Sequence, residues 1–181
     1  MEEFKERIAA VHKSLGIPKE YENGCGLILQ FEASDLAEIE NDIYGRPQRL
    51  RPEAGSAWRA MKGHAENEGI VLNIVSAFRT VDRQSEIIQR KIDSGQTISE
   101  ILRVCAAPGY SEHHTGRAVD LTTKGCEPLS VSFDTTEAFR WLKDKAHYYS
   151  FKLPYPKGNK LGISYEPWHW AYNPEASTSE S

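Results

Sequence analysis

The stretch that most restricts what this chain can become runs from Ser111 to Thr122, SEHHTGRAVDLT. Gly116 permits a sharp turn after the two histidines, and Ala118-Val119-Asp120-Leu121 then reads as a short strand. Side chains alternate along a strand, so Ala118 and Asp120 fall on one side of it. A carboxylate and an imidazole can thus converge across a turn.

Those two groups are metal donors. Zinc accepts His nitrogen and Asp oxygen, and a catalytic site commonly uses three protein ligands, leaving the fourth position to water. The second motif, YEPWHW from Tyr165 to Trp170, can complete the set. With Pro167 at the second position of a tight turn, Glu166 and His169 take the first and fourth, whose Cα atoms lie within about 7 Å. One residue can then bind metal while the other serves as a base. Each residue also has a plainer reading: a lone His in a turn is commonly a hydrogen-bonding structural group, and an Asp beside a turn is commonly a cap.

Around these motifs the chain divides into recognisable elements. Phe4, Ile8, Val11 and Leu15 share one face of a helix from Glu2 to about Leu15, ended by Gly16-Ile17-Pro18. Leu27-Ile28-Leu29 resembles a short strand, and Arg46-Pro47-Gln48 opens a polar connection. A helix after Pro52 carries Ala54, Trp58, Met61 and Ala65 on one face and stops at Gly69. It leads into a strand, Ile70 to Phe78, that delivers Ser76 and Arg79 to its carboxyl end. A further helix covers about Asp82 to Ser94, and Thr97-Ile98-Ser99-Glu100 is a capping box for a short one. Asp134, with Glu137 three residues on, is a candidate cap for a helix carrying Phe139, Leu142 and Ala146. Helices gather early and strands late, which predicts an α+β fold of one domain, residues 1–172, with a disordered tail over 173–181.

Composition removes several functional classes. In 181 residues with a net charge of −4, acids and bases are dispersed, so no basic face is available for nucleic acid. No apolar run approaches a membrane span. The start MEEFKERIAA is acidic and amphipathic, which leads us to expect a cytoplasmic protein as written, or a periplasmic or extracytoplasmic one if a leader has been removed. Cys25, Cys105 and Cys126 are odd in number and widely spaced, and read as free thiols.

The ordered pattern Ser-x-His-x-x-Gly-x-Ala-x-Asp, here Ser111, His113, Gly116, Ala118 and Asp120, followed by Glu-x-Trp-His, resembles the VanY-type D-alanyl-D-alanine carboxypeptidases of the LAS zinc metallopeptidase group. SAFRTVDRQ, Ser76 to Gln84, resembles a further segment of that family, as does the aromatic stretch FRWLKDKAHYYSFKLPYP. The resemblance covers roughly residues 46–172. It implies helices packed on a small, mainly antiparallel sheet of hedgehog/D-Ala-D-Ala peptidase-like type. It implies one Zn²⁺ per chain held by His113, Asp120 and His169, with Glu166 as general base. Arg79 would bind a substrate carboxylate or developing oxyanion, and Gln84, Ser111, Ser76 and Trp168 would line the substrate site. His114 is the alternative first ligand, and the family spacing selects His113. For Arg79 the plainer alternative is a surface ion pair with Asp82. One departure stands out: the family often has Arg two residues beyond the last His, where this chain has Ala171.

The activity implied is hydrolysis of a peptide bond near the carboxyl end of a peptidoglycan stem peptide or muropeptide, releasing D-alanine, by a monomer. Alternatives within the same chemistry are an L,D-carboxypeptidase, an L-alanyl-D-glutamate endopeptidase and a D-alanyl-D-alanine dipeptidase. A zinc-stabilised binding module without turnover is the alternative of another class.

Overall fold

The computed structural model describes residues 1–174. The tail expected to be disordered lies, from residue 175 on, outside the described residues. Helix α1 (Glu2–Leu15) ends where Gly16 adopts a left-handed conformation, φ 68°, and α2 (Tyr21–Gly24) is a single turn. Leu27-Ile28-Leu29, expected as a strand, forms none: the extended segment after it makes isolated backbone bonds to the motif loop, Gln30 N to Gly109 O and Ala33 N to His114 O. The first strands are instead β1 (Ala37–Asn41) and β2 (Pro47–Leu50), an antiparallel hairpin where a polar connection was expected.

Helix α3 (Pro52–Asn67) starts on Pro52 and buries Ala54, Trp58, Met61 and Ala65, the face its periodicity marks. Strand β3 (Asn73–Ser76) is shorter than expected, and α4 (Val81–Asp93) follows with Thr80 capping it by accepting from Arg83 N. The Thr97/Glu100 capping box starts α5 (Ile98–Ile101). A 3-10 turn at Glu112–Thr115 precedes β4 (Ala118–Thr122). Helix α6 (Glu137–Lys145) is capped by Thr136 rather than Asp134, whose carboxylate instead accepts from Lys157 and the Tyr165 hydroxyl. Strands β5 (Phe151–Lys152) and β6 (His169–Tyr172) complete a four-stranded antiparallel sheet of order β3-β4-β6-β5.

Two apolar clusters flank this frame. One joins α3 and α6 to the sheet through Trp58, Met61, Val119, Leu121, Trp141 and Trp170. The other gathers α1, α4 and α5 around Ile8, Val81, Ile88, Ile101 and Tyr110. The mixed helix and antiparallel-sheet architecture is the α+β class expected. All three cysteines are free, as their spacing suggested.

Candidate metal centre

Strand β4 is buried along its whole length, with Val119 and Leu121 directed into the larger core. Alternation then places Asp120 on the opposite face, where the register sets it directly across from His169 of β6 and beside Ser76 of β3. Opposed residues on one face of an antiparallel pair have Cβ atoms about 5 Å apart, so carboxylate and imidazole meet by strand geometry alone. The turn expected around Pro167 is present: His169 N donates to Glu166 O at 3.2 Å, and Glu166 N is in turn held by Tyr155 O. His113 arrives from the 3-10 turn, whose end at Gly116 has φ 66°.

The three donor residues are buried, and one nitrogen or oxygen of each lies within 4.8 Å of the others. His113 Nδ1 sits 2.5 Å from the Ala77 carbonyl, which accepts only, so that nitrogen carries the proton and Nε2 carries a lone pair. Burial pushes the His113 imidazolium down to a pKa of about 4, which keeps the ring neutral. Its Nε2 lies 3.1 Å from Asp120 Oδ2, yet among the described residues it has no hydrogen-bond partner. A buried lone pair facing a carboxylate oxygen is a costly arrangement that a cation between them resolves. His113 Nε2–Asp120 Oδ2 and His169 Nδ1–Asp120 Oδ1, at 3.1 and 3.0 Å, lie a few tenths of an ångström inside the edge of about 3.4 Å that a tetrahedron with zinc bonds of about 2.1 Å would have. The His, Asp, His donor set therefore fits a divalent ion such as zinc.

His169 has a second carboxylate neighbour, which the sequence did not reveal. Its Nε2 donates to Glu112 Oε2 at 2.9 Å while Nδ1 faces Asp120. Burial would lower the His169 pKa, but the hydrogen bonds to Asp120 and Glu112 overcome it and raise the group to about 10. Burial opposes ionisation of Asp120 as well, and the hydrogen bonds and charges around it reverse this and hold it well below the usual carboxylate range. Ala171 pairs with Ala118 and Lys152 in the sheet, so the support behind His169 comes from Glu112 rather than from a neighbour two residues on. Tyr155 packs its ring 5.0 Å from that of His169.

Glu166 is buried at the same cleft, and burial raises its pKa to about 7. A carboxyl group so tuned accepts a proton readily near neutral pH. Arg79 does not pair with Asp82, which binds Arg7 instead. It donates to Asp120 Oδ2 at 2.9 Å and to Gln84 Oε1 at 3.1 Å, and its backbone is clamped by both histidines: Arg79 N donates to His113 O, and Arg79 O accepts from His114 Nδ1 at 2.6 Å. His114 is thus fully buried and structural, with Nε2 accepting from Gly109 N, rather than a metal donor.

These groups line a cavity of about 340 Å³ together with Ser111 and Trp168. Gln84 also lines it, but its amide is committed to Arg79, Ala106 O and Cys105 Sγ, so it orients the guanidinium more than it faces the cavity. Ser76, expected in the substrate site, stays in the strand row beside Asp120 and is not part of the cavity wall. His12, His64 and His147 lie outside this cavity, His64 between Tyr149 and Glu68.

The VanY family, D-alanyl-D-alanine carboxypeptidase, matches residues 47–175. The Bacillus subtilis (strain 168) protein YodJ, named as a carboxypeptidase, is 34% identical over 171 residues, 91% of this chain and 59% of that one. The chain thus spans about three fifths of that relative's length. Among solved structures, the LdcB LD-carboxypeptidase is 34% identical with a TM-score of 0.69, over 79% of this chain and 70% of that one. A VanY D,D-pentapeptidase mutant from a VanB-type resistance cassette, in complex with Zn(II), is 28% identical with a TM-score of 0.64, over 84% and 89%. On the extent of the family match and the positions it covers, the chain belongs to the VanY D-alanyl-D-alanine carboxypeptidase family.

Proposed function

We propose that this protein is a zinc-dependent carboxypeptidase that removes the terminal D-alanine from a peptidoglycan stem peptide, with His113, Asp120 and His169 as metal ligands. The observation that carries the reading is the buried, unpartnered Nε2 of a neutral His113 facing Asp120 and His169 beside a carboxyl group tuned to about neutrality, Glu166. The zinc complex of the VanY relative supports the choice of metal.

Bound in this site, the metal supplies Lewis-acid polarisation of the scissile carbonyl and acidifies water. Glu166 takes the proton from the attacking water and hands it to the departing amine, a double use that a pKa near 7 suits in both directions. Arg79 places a fixed positive charge beside Asp120, where it complements either the substrate's terminal carboxylate or the oxygen that becomes negative during attack. Ser111 and Trp168 complete the wall of the cleft against which the peptide lies.

A second reading, removal of D-alanine from an L,D-linked tetrapeptide, is favoured by the likeness to the LdcB LD-carboxypeptidase. Incubation of the zinc-loaded protein with penta-, tetra- and dipeptide substrates, with the released amino acid identified, separates the two. Release of D-alanine from the pentapeptide alone supports the D,D reading, whereas release from the tetrapeptide alone replaces it with the L,D one. Tight peptide binding without any release would return the chain to the class of non-catalytic binding modules.

A further inference from the structure

Leu129 holds a backbone conformation that its own side chain disfavours. Its φ is +56°, in the left-handed region where the Cβ of an L-residue crowds the following carbonyl. The sequence Glu127-Pro128-Leu129-Ser130 puts Pro128 and then Leu129 at the centre of a turn whose third position, at positive φ, is ordinarily filled by Gly or Asn. Ser150, the other non-glycine residue at positive φ among the described residues, has a structural reason, since it closes the 3-10 turn Ala146–Tyr149. Leu129 has no such reason, and its side chain does not pack into either core: it is 49% exposed.

What Leu129 does reach is the candidate catalytic cleft. It lines the same cavity as Asp120, Glu166 and Arg79, and so does Val104, another apolar residue left 47% exposed. Exposed apolar groups on the wall of a cleft whose chemical groups are buried belong to its mouth. In a carboxypeptidase the short leaving residue occupies the closed end and the rest of the peptide leaves through the mouth, so the mouth contacts residues on the amino-terminal side of the cut. Strain kept at such a place points to a function that needs the side chain there.

We propose that Leu129, with Val104, grips the aliphatic side chain of a residue on the amino-terminal side of the scissile bond, making these two residues determinants of substrate specificity. This rests on the carboxypeptidase reading above. The contact is apolar and non-directional, so it discriminates by the length of the aliphatic stem rather than by its polar end.

The test compares two peptides with the same cleaved bond, diacetyl-L-Lys-D-Ala-D-Ala and its analogue with glycine in place of lysine, for wild type, Leu129→Gly and Val104→Ala. For Leu129→Gly the inference expects KM for the lysine peptide to rise about three- to tenfold, the loss of part of one aliphatic contact. It expects kcat and both constants for the glycine peptide to stay unchanged, while Tm rises by about 2–4 °C as the turn relaxes. Val104→Ala should reproduce the KM change without the gain in Tm. Unchanged KM with raised Tm would show strain unrelated to substrate, a fall in Tm would make Leu129 a packing residue, and an equal effect on both peptides would place the contact elsewhere; each overturns the inference. Absence of zinc-dependent release by wild type from both peptides would instead overturn the D,D-carboxypeptidase reading, and this inference with it.

Discussion

Glu112 and His169 meet from positions 57 residues apart, and their 2.9 Å contact decides which imidazole nitrogen turns toward Asp120. When a metal ion displaces the Nδ1 proton, the Nε2–H stays with Glu112 and the lone pair on Nδ1 faces the proposed metal position. Replacing Glu112 by Ala is therefore expected to weaken zinc binding about 10- to 100-fold, measured by competition with a chromophoric chelator. Glu112→Gln, whose amide oxygen still accepts, should lose less. Equal zinc affinity in Glu112→Ala and wild type would show that the ring needs no such partner. His113 and Asp120 were legible because Ser111 to Asp120 carries them at a fixed local spacing, and His169 because it follows Glu166 and Pro167 in a compact second motif. Glu112 was not, because an acid in a polar motif looks solvated until β4 and β6 pair and bring His169 over it. The part played by His114 was not legible either, since nothing local shows that Arg79 O and Gly109 N enclose it.

At the scale of elements, the turn between the histidines and β4 hangs on Gly116. Its φ is 66°, and a Cβ there would approach Leu36 Cδ2 at 2.8 Å, with Ala33 Cβ and Arg51 N at 3.3 Å. Gly116→Ala thus meets both an unfavourable conformation and a close contact, and is expected to lower stability by about 1–3 kcal/mol, read by chemical denaturation. A stable variant with unaltered zinc affinity would show the turn to be adaptable. Helices α1, α3 and α4 were readable because their apolar residues recur at the helical period and end on Gly or a polar cap. The hairpin β1–β2 was not, since AEIEN and PQRL are mostly polar and show no run of β-branched residues. Its place is fixed by partners far along the chain. Gln48 Nε2 donates to Asp42, while Gln48 Oε1 accepts from Ala77 N, and the carbonyl of the same Ala77 receives His113 Nδ1–H. An apparent connection thus helps hold a proposed ligand.

For the whole molecule, the cleft takes its wall from both sides of the fold: Arg79, Gln84 and Cys105 come with α4 and the smaller core, Asp120, Trp168 and His169 with the sheet and the larger one. The α+β class was legible from the distribution of helices and strands, but the meeting of these two halves depends on tertiary pairings that no local pattern records. Among the described residues no helix is long and apolar enough to cross a membrane. The central claim is that three ligands and one carboxyl group divide the work, the former holding zinc and Glu166 moving the proton. It is tested most directly by measuring bound zinc and D-alanine release together, for wild type and Glu166→Ala, before and after chelator treatment. The account predicts one zinc per chain in both proteins, release by the wild type that disappears with the metal and returns on its addition, and a loss of about 10²–10⁴-fold in the variant. Release that persists without zinc, or a Glu166→Ala variant as active as the wild type, would contradict it.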